Sequence, residues 1–305
     1  MSEQQDRREG EIRGTGIFLK GDCHVHPDRT NDPDNLPKVV EWYRQRGYNF
    51  IAMTEHRRLV PTAGLSDGSF VVVPGMELNA VDPELGDFHM LGIGLTNLME
   101  QPAQFTAREA VDLIRQDGGL PFMAHPGTFD QTAQTLLSLP GLCGLEVFNR
   151  SVHHKMGKGV ASELWSQVLG HGQHLWGLAD SDNHFPPAFE NGHSTQYNVV
   201  EVSRRDPAAV LEALRHGWYY ASTGPEITSY HLDADGVLHV TCSPATTITV
   251  LADRNKGTVY RAAPGEVLTS ISHQLTGRRG PVLFTRVEVA DGQGGMAWTN
   301  PLYPA

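Results

Sequence analysis

Short apolar runs rich in Val, Ile, Leu and Phe recur through the first 222 residues, and amphipathic or polar stretches separate them. The runs predict strands over 16–24, 49–54, 70–73, 88–92, 120–124, 142–148, 174–179 and 197–202. Between them, apolar positions spaced three and four apart predict helices over 38–46, 106–117, 157–169 and 207–215. Gly47, the pair Gly118-Gly119 and Gly217 are placed to stop three of these helices. Strands alternating with helices imply an α/β sheet or barrel with mainly parallel pairing. In such folds chemistry collects at the C-terminal ends of the strands.

The pattern changes after Ser222. Runs over 237–241, 247–251, 282–285 and 287–289 alternate with Gly, Pro and Asp and show no helical period, which predicts a small β-sandwich-like unit. Thr223-Gly224-Pro225 is the expected hinge. The expected organisation is a mobile tail over 1–13, a catalytic unit over 14–222 and a β unit over 223–305.

Metal-capable side chains stand at one predicted strand end after another. His24-Val25-His26 closes the first strand, and residues two apart on a strand share a side, so both imidazoles can converge. Glu55-His56 follows the second strand and Glu77 the third; His89 is in the fourth and His125 after the next, and Asp182 and His184 follow the 174–179 strand. Neutral imidazoles mixed with carboxylates suit Zn²⁺, Mn²⁺ or Fe²⁺ better than Ca²⁺ or Mg²⁺. One Glu among many His is what a shared site needs, because a carboxylate can bridge two ions. Asp180 competes with Asp182 as the aspartate ligand, and Asp-x-His spacing favours Asp182. Glu55 is a candidate to orient His56, or a simple strand-end charge. Cys23, by alternation, points away from the ligands as a packed thiol. Arg57, Arg58, Arg150, Lys155 and Lys158 follow strand ends and could receive an anion; Arg150 and Arg57 are the substrate-binding candidates. No Ser-His-Asp pattern, P-loop or GxGxxG stands out.

Composition narrows the partners. The chain has 305 residues, is 39% hydrophobic and 19% charged, and carries a formal charge of -11. An acidic surface argues against a stable nucleic-acid complex and against an anionic membrane, and leaves a small-molecule substrate. Three widely spaced cysteines and a polar N-terminus without an apolar core segment point to a reducing cytoplasm.

In order, the motifs are His-x-His at 24–26, Thr-Glu-His at 54–56, Pro-Gly-x-Glu at 74–77, an isolated His89, Ala-His-Pro at 124–126, Leu-Glu-Val-Phe-Asn at 145–149 and Ser-Asp-x-His at 181–184. This series resembles the PHP (polymerase and histidinol phosphatase) superfamily of metal-dependent hydrolases. The stretches 215–225 and 297–303 resemble its carbaryl-hydrolase-like branch. The resemblance implies a distorted (β/α)7 barrel and two to three divalent metal ions. It implies one ion on His24, His26, Glu77 and Asp182, and a second sharing Glu77 with His89 and His125. A third would use His56, His184 and a residue of the loop after His26, where Asp32, Asn31 and Asp28 all offer a ligand; Asp32 is the one carried forward. Glu77, His56 and His184 receive catalytic roles. The expected reaction is hydrolysis of a small phosphorylated metabolite or nucleotide through a metal-bound hydroxide. Carbamate, ester or amide hydrolysis is the alternative, and a noncatalytic metal-binding module is the third reading.

Overall fold

A computed structural model of the chain describes residues 7–27, 35–97, 104–185, 195–253, 256–275 and 282–304. The first half comprises strand β1 (Ile17–His26), helix α1 (Asn35–Arg44), β2 (Phe50–Met53), β3 (Val71–Asp82), β4 (Gly86–Ile93), α2 (Ala107–Gln116), β5 (Leu120–Met123) and the short α3 (Ala133–Leu137). Then come β6 (Gly144–Asn149), α4 (Arg150–Met156), α5 (Ser162–Gly170), β7 (Trp176–Asp180), the two-residue β8 (Asn183–His184), β9 (Tyr197–Val202) and α6 (Pro207–His216). The remainder is all β: β10 (Tyr219–Ser222), β11 (Ile227–Leu232), β12 (Val237–Ala245), β13 (Thr247–Ala252), β14 (Gly257–Arg261), β15 (Leu268–Gln274), β16 (Thr285–Ala290) and β17 (Met296–Thr299).

Among the described residues, fourteen strands share one hydrogen-bonded sheet, in the order β14-β13-β16-β17-β10-β9-β1-β2-β3-β4-β5-β6-β7, with β8 added on β1. Pairing is parallel for β1–β2–β3 and β5–β6–β7, but β4 runs antiparallel to both of its neighbours. The departure from all-parallel order has a local cause. β3 does not end at Pro74-Gly75 but continues to Asp82, and a tight turn returns it as β4 without a crossover helix. β11, β12 and β15 form a separate three-stranded sheet.

Helix ends follow their capping residues. Thr106 and Glu109 form a reciprocal capping box at α2. Asp206 caps α6, whose first residue is Pro207, and Gly217 closes it at φ 70°. The helix expected over 157–169 divides in two. Asn149 caps α4, Gly157 at φ 72° terminates it, and α5 starts afresh at Ser162. Gly157 therefore ends a helix rather than opening one. Residues 282–284, read as strand, lie outside β16.

One apolar cluster fills the inner side of the β1–β7 run, with Leu19, Cys23, Phe50, Phe122 and Leu178 fully buried. Gly21 is required there, since a Cβ would lie 2.1 Å from the Phe50 ring. A second cluster joins Val25, Ile51 and Met53 to Tyr43 of α1 and to Tyr230, Leu238 and Val240 of the small sheet. The expected mobile tail is in part docked: Ile12 is buried and exchanges backbone hydrogen bonds with Tyr230, and Arg7 pairs with Glu201 at 2.6 Å. No helix among the described residues is long and apolar enough to cross a membrane.

Candidate metal centre

β1, β3, β4 and the segments that follow β2, β5 and β7 deliver the site. β1 ends on His24 and His26, with a register jump against β2 between Asp22 and Val25. That jump interrupts strict alternation. Val25 packs on the α1 side while Cys23 packs in the inner cluster with Phe50 and Ala124. Burial and the nearby Asp180, Asp22 and Glu146 carboxylates push the Cys23 thiol well above its usual pKa, as a packed thiol requires.

Glu77 stands within β3 and is fully buried. Its Oε1 lies 2.7 Å from His89 Nδ1 and 3.2 Å from His125 Nε2. Its Oε2 lies 2.9 Å from His56 Nδ1, 3.3 Å from His26 Nε2 and 3.5 Å from His24 Nε2. Asp182 Oδ1 is 3.3 Å from His26 Nε2 and 3.6 Å from His24 Nε2. His184 stacks on His26 with ring centroids 4.0 Å apart. Four overlapping groups of three ligand atoms result, each within 4.8 Å: His24, His26 and Asp182; His24, Glu77 and His125; His56, Glu77 and His89; His26, His56 and His184. Asp180 belongs to none of them. Its Oδ1 accepts from the Cys23 and Asn198 N–H groups and so ties β7 to β1.

Two details fit a cation. Glu77 Oε2 accepts no hydrogen bond of acceptable geometry, although three imidazole nitrogens surround it. The Nε2 atoms of His24 and His26 face each other at 3.1 Å, and because each Nδ1 faces a carboxylate, Glu146 and Glu55, two neutral rings donating there turn both Nε2 lone pairs toward one point, as two ligands of a cation do. The field agrees. Burial opposes charge on His24, yet Glu146, Glu77 and Asp182 hold its pKa well above the ordinary value. Against the same burial, Asp182, Glu55 and Glu77 raise His26 to about 10. Glu77 and Asp182 are depressed in turn by the imidazoles, again against burial. The cluster therefore concentrates negative potential that protons or metal ions neutralise. Backbone strain gathers here too, with positive φ at Arg57 (49°), His125 (25°) and Asp182 (53°), a cost of about 1–3 kcal/mol each.

The supporting residues differ from expectation. Glu146 enters the sequence reading only as part of the Leu-Glu-Val-Phe-Asn motif, with no role of its own. It places Oε1 2.8 Å from His24 Nδ1, while Oε2 accepts from the His125 N–H and from Asn149 Nδ2. Glu55 faces His26 Nδ1 at 3.3 Å and accepts the His56 backbone N–H. Asp22 accepts from the His24 and Ser181 N–H groups and from Tyr43 Oη, and burial raises its pKa to about 6. Arg57 donates to the Asn79 carbonyl at 3.2 Å and lies over Phe105. Arg150 opens α4, half-buried, and makes no hydrogen bond or ion pair to a described residue. Lys158 pairs with Asp130. Asp32, with Asn31 and Asp28, lies outside the described residues. A Ser272–His239–Asp233 hydrogen-bonded chain does exist, but on exposed strands of the small sheet, with His239 and Asp233 about a third exposed.

No protein-family model matches the chain. It is 27% identical over 159 residues to an uncharacterized protein of Methanocaldococcus jannaschii, covering 46% of this chain and 85% of that one. A two-domain protein of Bacteroides vulgatus containing a predicted PHP-like metal-dependent phosphoesterase superposes with a TM-score of 0.51 at 19% identity, covering 97% of this chain and 99% of that one. A putative metal-dependent phosphoesterase of Bifidobacterium adolescentis gives a TM-score of 0.45 at 18% identity, covering 65% and 96%. The mixed α/β architecture, with its added C-terminal strands, thus shares the fold of that two-domain protein.

Proposed function

We propose that the protein is a metal-dependent hydrolase, with a small phosphoester as the favoured substrate. One observation carries the reading: the two oxygens of Glu77 divide the histidines, Oε2 toward His24, His26 and His56, and Oε1 toward His89 and His125. That division supports ligand sets of His24, His26, Glu77 and Asp182, and of Glu77, His89 and His125. His56 and His184 provide a third position. Bound divalent ions would supply Lewis-acid activation of water and neutralise charge on the leaving oxygen. The chain's own residues do the rest. Glu146 and Glu55 hold the His24 and His26 rings in one tautomer. Arg150, Arg57 or both receive the anionic group. The supporting architecture is read as a distorted (β/α)7 barrel over 14–222 carrying a β unit over 223–305, in a cytoplasmic setting.

Phe129 favours a second reading, hydrolysis of a neutral ester or carbamate. Its ring centroid lies 5.1 Å from His89 and 5.9 Å from His125, an apolar wall beside the ligand set. Arg57, moreover, is already engaged by Asn79. The test is metal analysis followed by turnover of aryl phosphates, diesters, carboxylic esters and aryl carbamates. Bound transition metal with phosphoester turnover is expected, and ¹⁸O from water should enter the acid product at the first turnover. Arg150→Ala should then weaken a phosphate monoester about tenfold more than a neutral ester. Faster turnover of the carbamate selects the second reading. Absence of metal and of activity after Zn²⁺ or Mn²⁺ addition refutes both.

A further inference from the structure

A crevice of about 280 Å³ opens on the outer face of the sheet, where β1, β9 and β10 meet β11. No residue of the metal cluster lines it. Its volume is at the lower end of small-molecule pockets, and its position between two structural units is where such pockets recur. Phe18, Tyr197, Tyr220 and Ile227 supply apolar wall, and Lys20 and Asn49 supply polar atoms.

Lys20 is an unusual lining residue. Its ammonium sits 4.6 Å from the Tyr48 ring and 4.4 Å from the Tyr197 ring. Both rings are fixed in place, since Tyr48 Oη donates to the Gln196 carbonyl and Tyr197 Oη to the Gly224 carbonyl. Yet Lys20 Nζ makes no hydrogen bond or ion pair to any described residue. Glu226, on the rim, raises its pKa, but burial outweighs this and lowers it. Beside it, Asn49 Oδ1 accepts the Lys20 backbone N–H at 3.1 Å, which turns the Asn49 amide nitrogen the other way, with no acceptor among the described residues. Two donor groups lining one crevice thus have no protein acceptor among the described residues, in a recess with aromatic walls.

We propose that this crevice is a second ligand site, taking a small organic anion whose carboxylate or phosphate meets Lys20 and Asn49 while a flat apolar body lies against Phe18 and Tyr220. The donors set the charge of the ligand: an acceptor oxygen satisfies both, and a charge-assisted contact in a partly dry recess is stronger than one in water. Glu226 at the rim disfavours a ligand with a second negative charge on that side.

Benzoate, phenyl phosphate and neutral benzyl alcohol serve as probes, titrated into metal-loaded protein carrying ¹³C-labelled tyrosine. Benzoate or phenyl phosphate should shift the ring signals of Tyr197 and Tyr220, assigned by Tyr→Phe variants, and bind at least about tenfold more tightly than benzyl alcohol. The tighter of the two anions identifies the head group. Lys20→Met should weaken anion binding about tenfold or more, with metal content unchanged. Asn49→Asp keeps the acceptor for the Lys20 N–H, places a carboxylate in the crevice that Lys20 lines, and should abolish anion binding; it decides the question if Lys20→Met fails to fold. Unmoved tyrosine signals, equal binding of benzyl alcohol, or variants that bind like the unmodified protein would overturn the proposal.

Discussion

The floor and the rim of the metal centre are built from the same residue types and behave as two materials. On the floor, His24, His26, Glu77 and His125 are at most 6% exposed. At the rim, the His56, His89 and His184 side chains are 40%, 23% and 23% exposed. His24 and His26 each have a carboxylate at the remote ring nitrogen, Glu146 and Glu55 respectively. His56 and His89 turn Nδ1 toward Glu77, with no second carboxylate behind them among the described residues. A buried ring between two anionic groups has one orientation and high basicity; a half-exposed ring with one anchor retains rotamer freedom. For the proposed metal centre the difference implies graded affinity, with ions held more tightly on the floor than at the rim.

The largest effect should come from Glu77→Gln, which removes the charge both regions share. Turnover should fall by about 10³-fold, the upper end for one charge-stabilising group, and metal analysis should show ions lost from floor and rim together. If rim metal survives, the two regions do not share Glu77.

Acidity gives the next largest effect. In the metal-free protein His26 titrates near 10 instead of 6.5, so its contribution to stability is complete below pH 6.5 and is lost as pH rises toward 10. Glu77, depressed, contributes above its ordinary value of 4.5 and loses this as pH falls. A metal ion must displace the His26 proton, so its affinity should rise with pH by up to about 1.4 kcal/mol per unit for each proton released. Melting of metal-free and metal-loaded protein at pH 6 and pH 9 should show the gap widening at the higher pH. A constant gap would mean that no proton is displaced.

Glu146→Gln keeps the shape and removes the charge behind His24. Floor-metal affinity should fall about 10–100-fold, read by chelator competition, while the rim ion is retained. The smallest effect belongs to His184→Ala, which should weaken only the rim ion, by roughly tenfold or less, and leave the floor ions bound. Equal losses at both positions would erase the distinction between floor and rim.

The candidate cluster was legible because most of its members end or follow an apolar run and strand periodicity is a local signal, although Glu77 and His89 stand inside β3 and β4. Local signals also gave β9 over 197–202 and the helix that Gly217 stops. Glu146 was not legible as a partner of His24, because 122 residues separate them and only the pairing of β5, β6 and β7 brings them together. Glu55, a candidate to orient its chain neighbour His56 or a simple strand-end charge, is turned by the fold toward His26. The long β3 was hidden by Pro74-Gly75, which reads as a break and here sits inside a strand: Met53 pairs with Pro74, and Gly75 with Ile93. The link from β10 to β17, 74 residues later in the chain, left no local trace.

That last pairing has a consequence for the nascent chain. Every side chain of the metal cluster has been synthesised by His184, and β9 and β10 follow by Ser222. The outer flank of β10 nevertheless receives its partner only when Met296–Thr299 emerges. At about 5–20 residues per second, that leaves a buried-type strand, Tyr-Tyr-Ala-Ser, with an open edge for on the order of ten seconds. During translation the C-terminal strands act as a late clasp. A gene truncated after residue 222 should yield a complete ligand set on a sheet whose unsealed edge recruits other chains, visible as insoluble protein, whereas supplying residues 223–305 from a second gene should restore soluble material.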